Sequence, residues 1–122
     1  MVEVSKARER LNHKYEVQRR RRLERHAAAL CDAEKIVDRI ASEYHPVRIY
    51  QWGSLLCPEK FTEYSDIDLA IEGITDAETF FRVLGDAMAM TEFKLDLVQL
   101  EKIEPEFAES IRRNGRIVYG RT

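Results

Sequence analysis

Trp52-Gly53-Ser54 is followed, twelve positions beyond Ser54, by Asp66-Ile67-Asp68-Leu69. Ahead of it, Val47 to Trp52 is a β-branched and aromatic run that suits a strand, and Gly53-Ser54 stops it. Behind the acids, Ile67, Leu69 and Ile71 alternate with Asp68 and Ala70, which is the period of a second strand. Two carboxylates at i and i+2 of a strand point to one side with Cα atoms about 6.6 Å apart, so Asp66 and Asp68 can address a common ligand.

Downstream, Gly73 closes the second strand and Thr75-Asp76-Ala77-Glu78 has the capping-box pattern of a helix start, continued by Phe80, Phe81, Leu84 and Met88. Phe93 to Leu100 predicts a third strand, with Leu95 and Leu97 on one face and Lys94, Asp96 and Val98 on the other. Pro105 suits the first turn of a helix bearing Phe107 and Ile111, and Asn114-Gly115 predicts a left-handed stop. Ile117 to Tyr119 is a last short strand. Strands alternating with helices predict an α+β fold, a small mixed β-sheet with helices packed on one face.

Upstream, Glu3 to Tyr44 contains neither Gly nor Pro and is rich in Ala, Glu, Arg and Leu, which predicts a long N-terminal helix. Leu23, Ala27, Leu30, Ala33, Val37, Ile40 and Tyr44 step by three or four, the seam of a helix with one buried face. The first half keeps only Val4, Ala7, Leu11 and Tyr15, a stripe that predicts association through residues 1–22 with a second copy or a partner chain. Pro46 ends the helix, because a residue before proline is pushed out of the helical region. The chain thus divides into a helical arm, 1–45, and a core, 46–122.

The formal charge of −2 hides an asymmetry between those parts. Residues 1–46 hold 11 Lys and Arg against 8 Asp and Glu, whereas residues 47–122 hold 9 against 14. Arg19 to Arg22 would suit phosphate, but four successive helical residues point to all sides, and Glu16 and Glu24 can pair with them. With an acidic core beside it, the cluster reads as a solvated or partner-facing helix rather than a nucleic-acid site. At 122 residues the chain has room for one domain of ordinary size. It contains no apolar run approaching the ~20 residues of a membrane span, and its N-terminus lacks the apolar stretch of a signal peptide. Cys31 and Cys57 lack metal-ligand spacing, which fits a reducing, cytoplasmic setting.

Asp96 adds a third acid on a neighbouring strand with the same layout as the second. Asp66, Asp68 and Asp96 can therefore share one sheet face and hold hard cations, and two Mg²⁺ ions need to stand only about 3.5–4 Å apart to clamp a phosphoryl transfer. Gly53-Ser54 follows a strand and is expected to open a helix, where free backbone N–H groups and a serine hydroxyl can hold phosphate oxygens. An EF-hand reading of the Asp pair fails, because a loop starting at Asp66 has Ile71 where glycine is required and Ala77 where glutamate is required. Walker and dinucleotide-binding glycine loops are absent from the sequence.

At Trp52, Gly53, Ser54, Asp66, Ile67, Asp68 and Asp96 the chain resembles the minimal nucleotidyltransferases of the DNA polymerase beta superfamily. The likeness covers residues 47–122, and residues 107–120 resemble the family's closing helix and strand; the arm lies outside it. The resemblance implies a Mg²⁺- or Mn²⁺-dependent nucleotidyltransferase that moves a nucleoside monophosphate, AMP from ATP, to an acceptor hydroxyl. Asp66, Asp68 and Asp96 would be the catalytic and metal-holding acids, with Asp96 either completing the metal set or helping to deprotonate the acceptor. Gly53 and Ser54 would grip the triphosphate. Family members commonly carry an arginine shortly after Gly-Ser; here Leu55-Leu56-Cys57-Pro58-Glu59-Lys60 stands in its place, and Lys60 is the substitute on offer. The resemblance further implies a HEPN-family toxin as partner, with this chain as the antitoxin. The rival reading is a non-catalytic antitoxin that neutralises its partner by contact alone.

Overall fold

The computed structural model describes residues 2–120. Met1, Arg121 and Thr122, at the ends of the expected arm and core, lie outside the described residues. The element order is α1 (Val2–Tyr44), β1 (Arg48–Gln51), two 3₁₀ turns (Gly53–Leu56 and Pro58–Lys60), β2 (Ile67–Glu72), α2 (Ala77–Met88), β3 (Leu95–Gln99), α3 (Pro105–Asn114) and β4 (Arg116–Gly120). The four strands form one sheet in the order β3-β2-β1-β4. β1 runs antiparallel to both β2 and β4, and β2 runs parallel to β3, so the sheet is mixed as expected.

Side chains alternate across this sheet and sort the helices onto its faces. Ile49, Ile67, Leu69, Ile71 and Leu97 point to the face covered by α1 and α2, where they meet Ala29, Ala33, Ile36, Val37, Ile40, Val83 and Ala87. The expected single-face packing holds for these two helices. The short α3 lies on the other side, where Ala108 and Ile111 pack with Tyr50, Ala70 and Leu100. Ile36, Ile40, Ile49, Leu69 and Ile71 are at most 1% exposed, and each such burial is worth about 1.5–3 kcal/mol.

The long helix forms as expected, and its seam is buried as expected except at Ala27, with His26, Ala29 and Ile36 added to it. Ala27 is exposed, and His26, Ala29, Ala33, Ile36, Val37 and Ile40 are the buried positions, with Leu23, Leu30 and Tyr44 half-buried beside them. Between Glu3 and Arg21 only Val17 is half-buried, and Val4, Leu11 and Tyr15 are 59–67% exposed. This half of α1 projects past the sheet. His45, at φ 49°, takes the left-handed position that turns the chain toward Pro46 and β1.

Two local expectations are corrected. The cap of α2 is Asp76 rather than Thr75: its carboxylate accepts a hydrogen bond from Thr79 N at 2.9 Å. Hydrogen bonding from the Thr79 side chain, and then from its backbone N–H, holds the Asp76 carboxyl below its usual range. Gly115 does not stop α3 in the left-handed conformation, since its backbone is extended at φ −75° and ψ 172°. It is close packing that favours glycine there, because a Cβ would overlap Ile111 O and stand 2.9 Å from Gln51 O.

Candidate nucleotide site

The site is built where β1 ends beside β2. Gly53 adopts φ +72°, a conformation that favours glycine, and a Cβ on it would collide with Asp68 Oδ2. Trp52 N donates to Asp68 O at 3.1 Å, which locks the start of the turn onto β2. The helix expected to open at Gly53-Ser54 is a single 3₁₀ turn ending at Leu56, and Pro58 begins a second turn at once.

Asp68 and Asp96 are direct partners in the parallel β2–β3 register. Asp68 and Ala70 face the α3 side of the sheet, so the acids stand on the face opposite α1 and α2. Asp66 lies one residue ahead of β2, half-buried, with Lys94 Nζ 4.0 Å from its Oδ2. Asp68 is 8% exposed, and its carboxyl is pushed up from 3.8 to about 7, first by burial and then by the negative charges of Asp96 and Asp66. Among the described residues no three His, Cys, Asp or Glu side chains are gathered as a metal cage. The acids form a row of hard oxygen donors whose mutual repulsion a cation would relieve, so the donor set fits a divalent metal.

The model of the polymerase beta nucleotidyltransferases matches residues 34–122. The chain belongs to the polymerase beta nucleotidyltransferase family. Solved structures that share its fold include two toxin–antitoxin proteins. One, a toxin–antitoxin with AMP-PNP, has a TM-score of 0.58 at 20% identity, covering 71% of this chain and 73% of that one. The other, the toxin–antitoxin MntA-HepT, has a TM-score of 0.56 at 18% identity, covering 75% of this chain and 72% of that one. No curated protein sequence matches the chain.

In this nucleotidyltransferase the structure brings Gly53, Asp68 and Asp96 together and sets Asp66 at the mouth of the same strand. Ser54 is half-buried in the first 3₁₀ turn, with its carbonyl accepting from Cys57 N at 3.0 Å. Lys60 is exposed at the end of the second turn and makes no ion pair among the described residues. Beside Gly53, an apolar recess of about 240 Å³ is bounded by Trp52, Leu56, Phe107 and Ser110. Sequence reasoning missed two residues here. Lys94 approaches Asp66 because it shares Asp96's strand face. His26 reaches the turn from α1, and its signal was a place in the helical seam, three residues before Ala29 and seven before Ala33.

No helix of the described residues is long and apolar enough to cross a membrane.

Proposed function

We propose that this nucleotidyltransferase moves AMP from ATP to a hydroxyl on a partner protein, using Mg²⁺ or Mn²⁺, and that it is the antitoxin to a HEPN-family toxin. The carrying observation is the buried Asp68, facing Asp96 and in contact range of the Gly53 backbone. The two structural neighbours, one a complex with AMP-PNP and one an MntA-HepT pair, support the nucleotide and the partner. Residues 46–122 carry the chemistry and residues 1–45 form the arm.

Asp66, Asp68 and Asp96 would hold the cation, which when bound supplies positive charge against the phosphate oxygens. The backbone N–H groups at Gly53-Ser54 and the Ser54 hydroxyl orient the triphosphate, and Lys60 adds a mobile positive charge at the end of the next turn. With the α-phosphorus held in line, the acceptor oxygen forms the new P–O bond and pyrophosphate leaves. Asp96 either takes the acceptor's proton or completes the metal set. Most of the catalysis is positioning and charge neutralisation. Three of the clustered arginines of α1 are engaged within the chain, Arg19 and Arg22 with Glu59 and Arg25 with Glu63 O, which together with the acidic core supports a protein partner over nucleic acid. Free Cys31 and Cys57 support a cytoplasmic setting.

The test is transfer of label from α-labelled ATP to a co-purified HEPN partner. Label that disappears in Asp66→Asn and Asp68→Asn supports the reading. A partner neutralised without label, by wild type and variants alike, establishes the non-catalytic antitoxin in its place.

A further inference from the structure

In the two 3₁₀ turns behind Gly53, the carbonyl of the buried Leu55 has no backbone partner. In such turns a carbonyl accepts from the N–H three residues on. Ser54 O accepts from Cys57 N at 3.0 Å, Cys57 O from Lys60 N at 3.0 Å and Pro58 O from Phe61 N at 3.2 Å. Leu55 has Pro58 at that position, and proline has no N–H to give. Leu55 is also 2% exposed, so water is a poor substitute, and an unmet buried carbonyl is costly.

His26 fills the gap. Its Nε2 lies 2.6 Å from Leu55 O, and because a carbonyl only accepts, Nε2 is the protonated nitrogen. The ring is 8% exposed and stands edge-on to the fully buried Phe61, with centroids 5.5 Å apart, so its aim is fixed by packing. The same stretch of α1 ties down the rest of the loop through Arg19 and Glu59 at 3.1 Å and Arg25 and Glu63 O at 3.2 Å. The turn is thereby pinned from two directions, by Asp68 against Gly53 and by His26 at Leu55.

We infer that His26, outside the residues matched by the family, is a positioning residue that holds the Gly53–Leu56 turn in its phosphate-gripping shape. This rests on the proposed use of Gly53-Ser54 for the triphosphate. The arm is then a working part of the site: it replaces, from a distant helix, the backbone donor that Pro58 removed. Leu55 itself, standing where the family commonly has arginine, serves as the buried anchor.

The test uses the full chain with His26→Phe, which keeps the ring packing and loses the donor, and His26→Gln, whose amide N–H can reach the carbonyl. A third variant, His26→Phe with Pro58→Ala, restores a backbone N–H at the i+3 position. Amide hydrogen exchange over residues 53–57 is measured without nucleotide, and ATP–Mn²⁺ affinity by calorimetry. His26→Phe should speed that exchange and weaken affinity about five- to tenfold, the loss expected for one buried hydrogen bond, with KM rising more than kcat falls. His26→Gln and the double variant should return both readouts to within about twofold of wild type. A folded His26→Phe with wild-type exchange and affinity overturns the inference. If His26→Phe does not fold, the double variant decides: recovery of fold and affinity supports the inference, and failure overturns it. A wild type that binds no nucleotide, while exchange over 53–57 still follows the predicted order, sinks the proposed function and leaves the positioning of the turn standing.

Discussion

Asp68 and Asp96 face each other across the parallel pair of β2 and β3, and Asp68 is buried against Gly53. Burial and then the negative charge of Asp96 disfavour ionisation of Asp68. The Asp68 carboxyl is pushed up to about 7, chiefly by burial. A raised carboxyl makes the folded state the better proton binder, so stability is lost as the pH climbs from 3.8 to about 7, while the unfolded chain ionises first. In metal-free buffer the melting temperature should fall across that window. Asp68→Asn should flatten the fall and melt higher than wild type at neutral pH. Thermal melts in chelator from pH 4 to 8 check this, and a wild type whose Tm rises through the window contradicts it.

Added Mn²⁺ should have the opposite sign. A cation binds the ionised acids, so it should raise the Tm of wild type at pH 7.5 and raise it much less at pH 5.5, where Asp68 holds its proton. Asp66→Asn and Asp68→Asn should each abolish the shift. Equal Mn²⁺ shifts in wild type and both variants would remove these acids from the metal set.

Gly53→Ala should damage the site more than the fold. The substitution places a Cβ at φ +72° and into Asp68 Oδ2, and left-handed backbone alone costs an L-residue about 1–2 kcal/mol. Circular dichroism should stay close to wild type while calorimetry shows nucleotide affinity lost. Ile36→Ala is the contrasting case. It empties a fully buried place between α1 and the sheet and should cost about 2–5 kcal/mol in chemical denaturation.

The exposed half of α1 predicts an interface. Val4, Leu11 and Tyr15 stay in solvent because each helical residue advances the chain about 1.5 Å and the small sheet ends before reaching them. Deleting residues 1–22 spares His26 and the buried seam, so the truncated chain should fold. Light scattering with and without the partner should show loss of the dimer or of the toxin complex. The same mass and partner affinity after truncation would make this half of the helix a solvated tail.

The strands and the acid-bearing motif were readable because their period of two survives in the sequence: Ile67, Leu69 and Ile71 go to one side and Asp68 to the other. Helix phase was less readable. Ala27 and Ala29 are chemically identical, and only the sheet decides which is buried, so one position of an otherwise correct seam fell on the wrong alanine. Adjacent Thr75 and Asp76 both qualify as caps, and the turn after Gly73 chose the second. Asn114-Gly115 carried the usual left-handed signal, but the need there is room against Gln51 O. The face taken by α3 is set by the packing of Ala108 and Ile111 against Tyr50, Ala70 and Leu100, a long-range match that no local pattern encodes. His26 was hidden for a different reason. A histidine on an apolar seam reads as ordinary core, and its partner is a backbone carbonyl whose need for a donor shows only once Pro58 is known to sit in a 3₁₀ turn.

The chain alone should be a poor enzyme on small molecules, because Leu55-Leu56 stand where the family commonly has an arginine to add positive charge near the triphosphate. Efficient adenylylation of an aminoglycoside by the isolated chain would refute this.

Mass spectrometry of a HEPN partner incubated with this protein, ATP and Mg²⁺ decides whether the protein transfers AMP. Wild type should add one or more AMP units to the partner and Asp68→Asn none, although both bind the partner. A partner left unmodified by wild type, or modification that persists in Asp68→Asn, would overturn the proposed function.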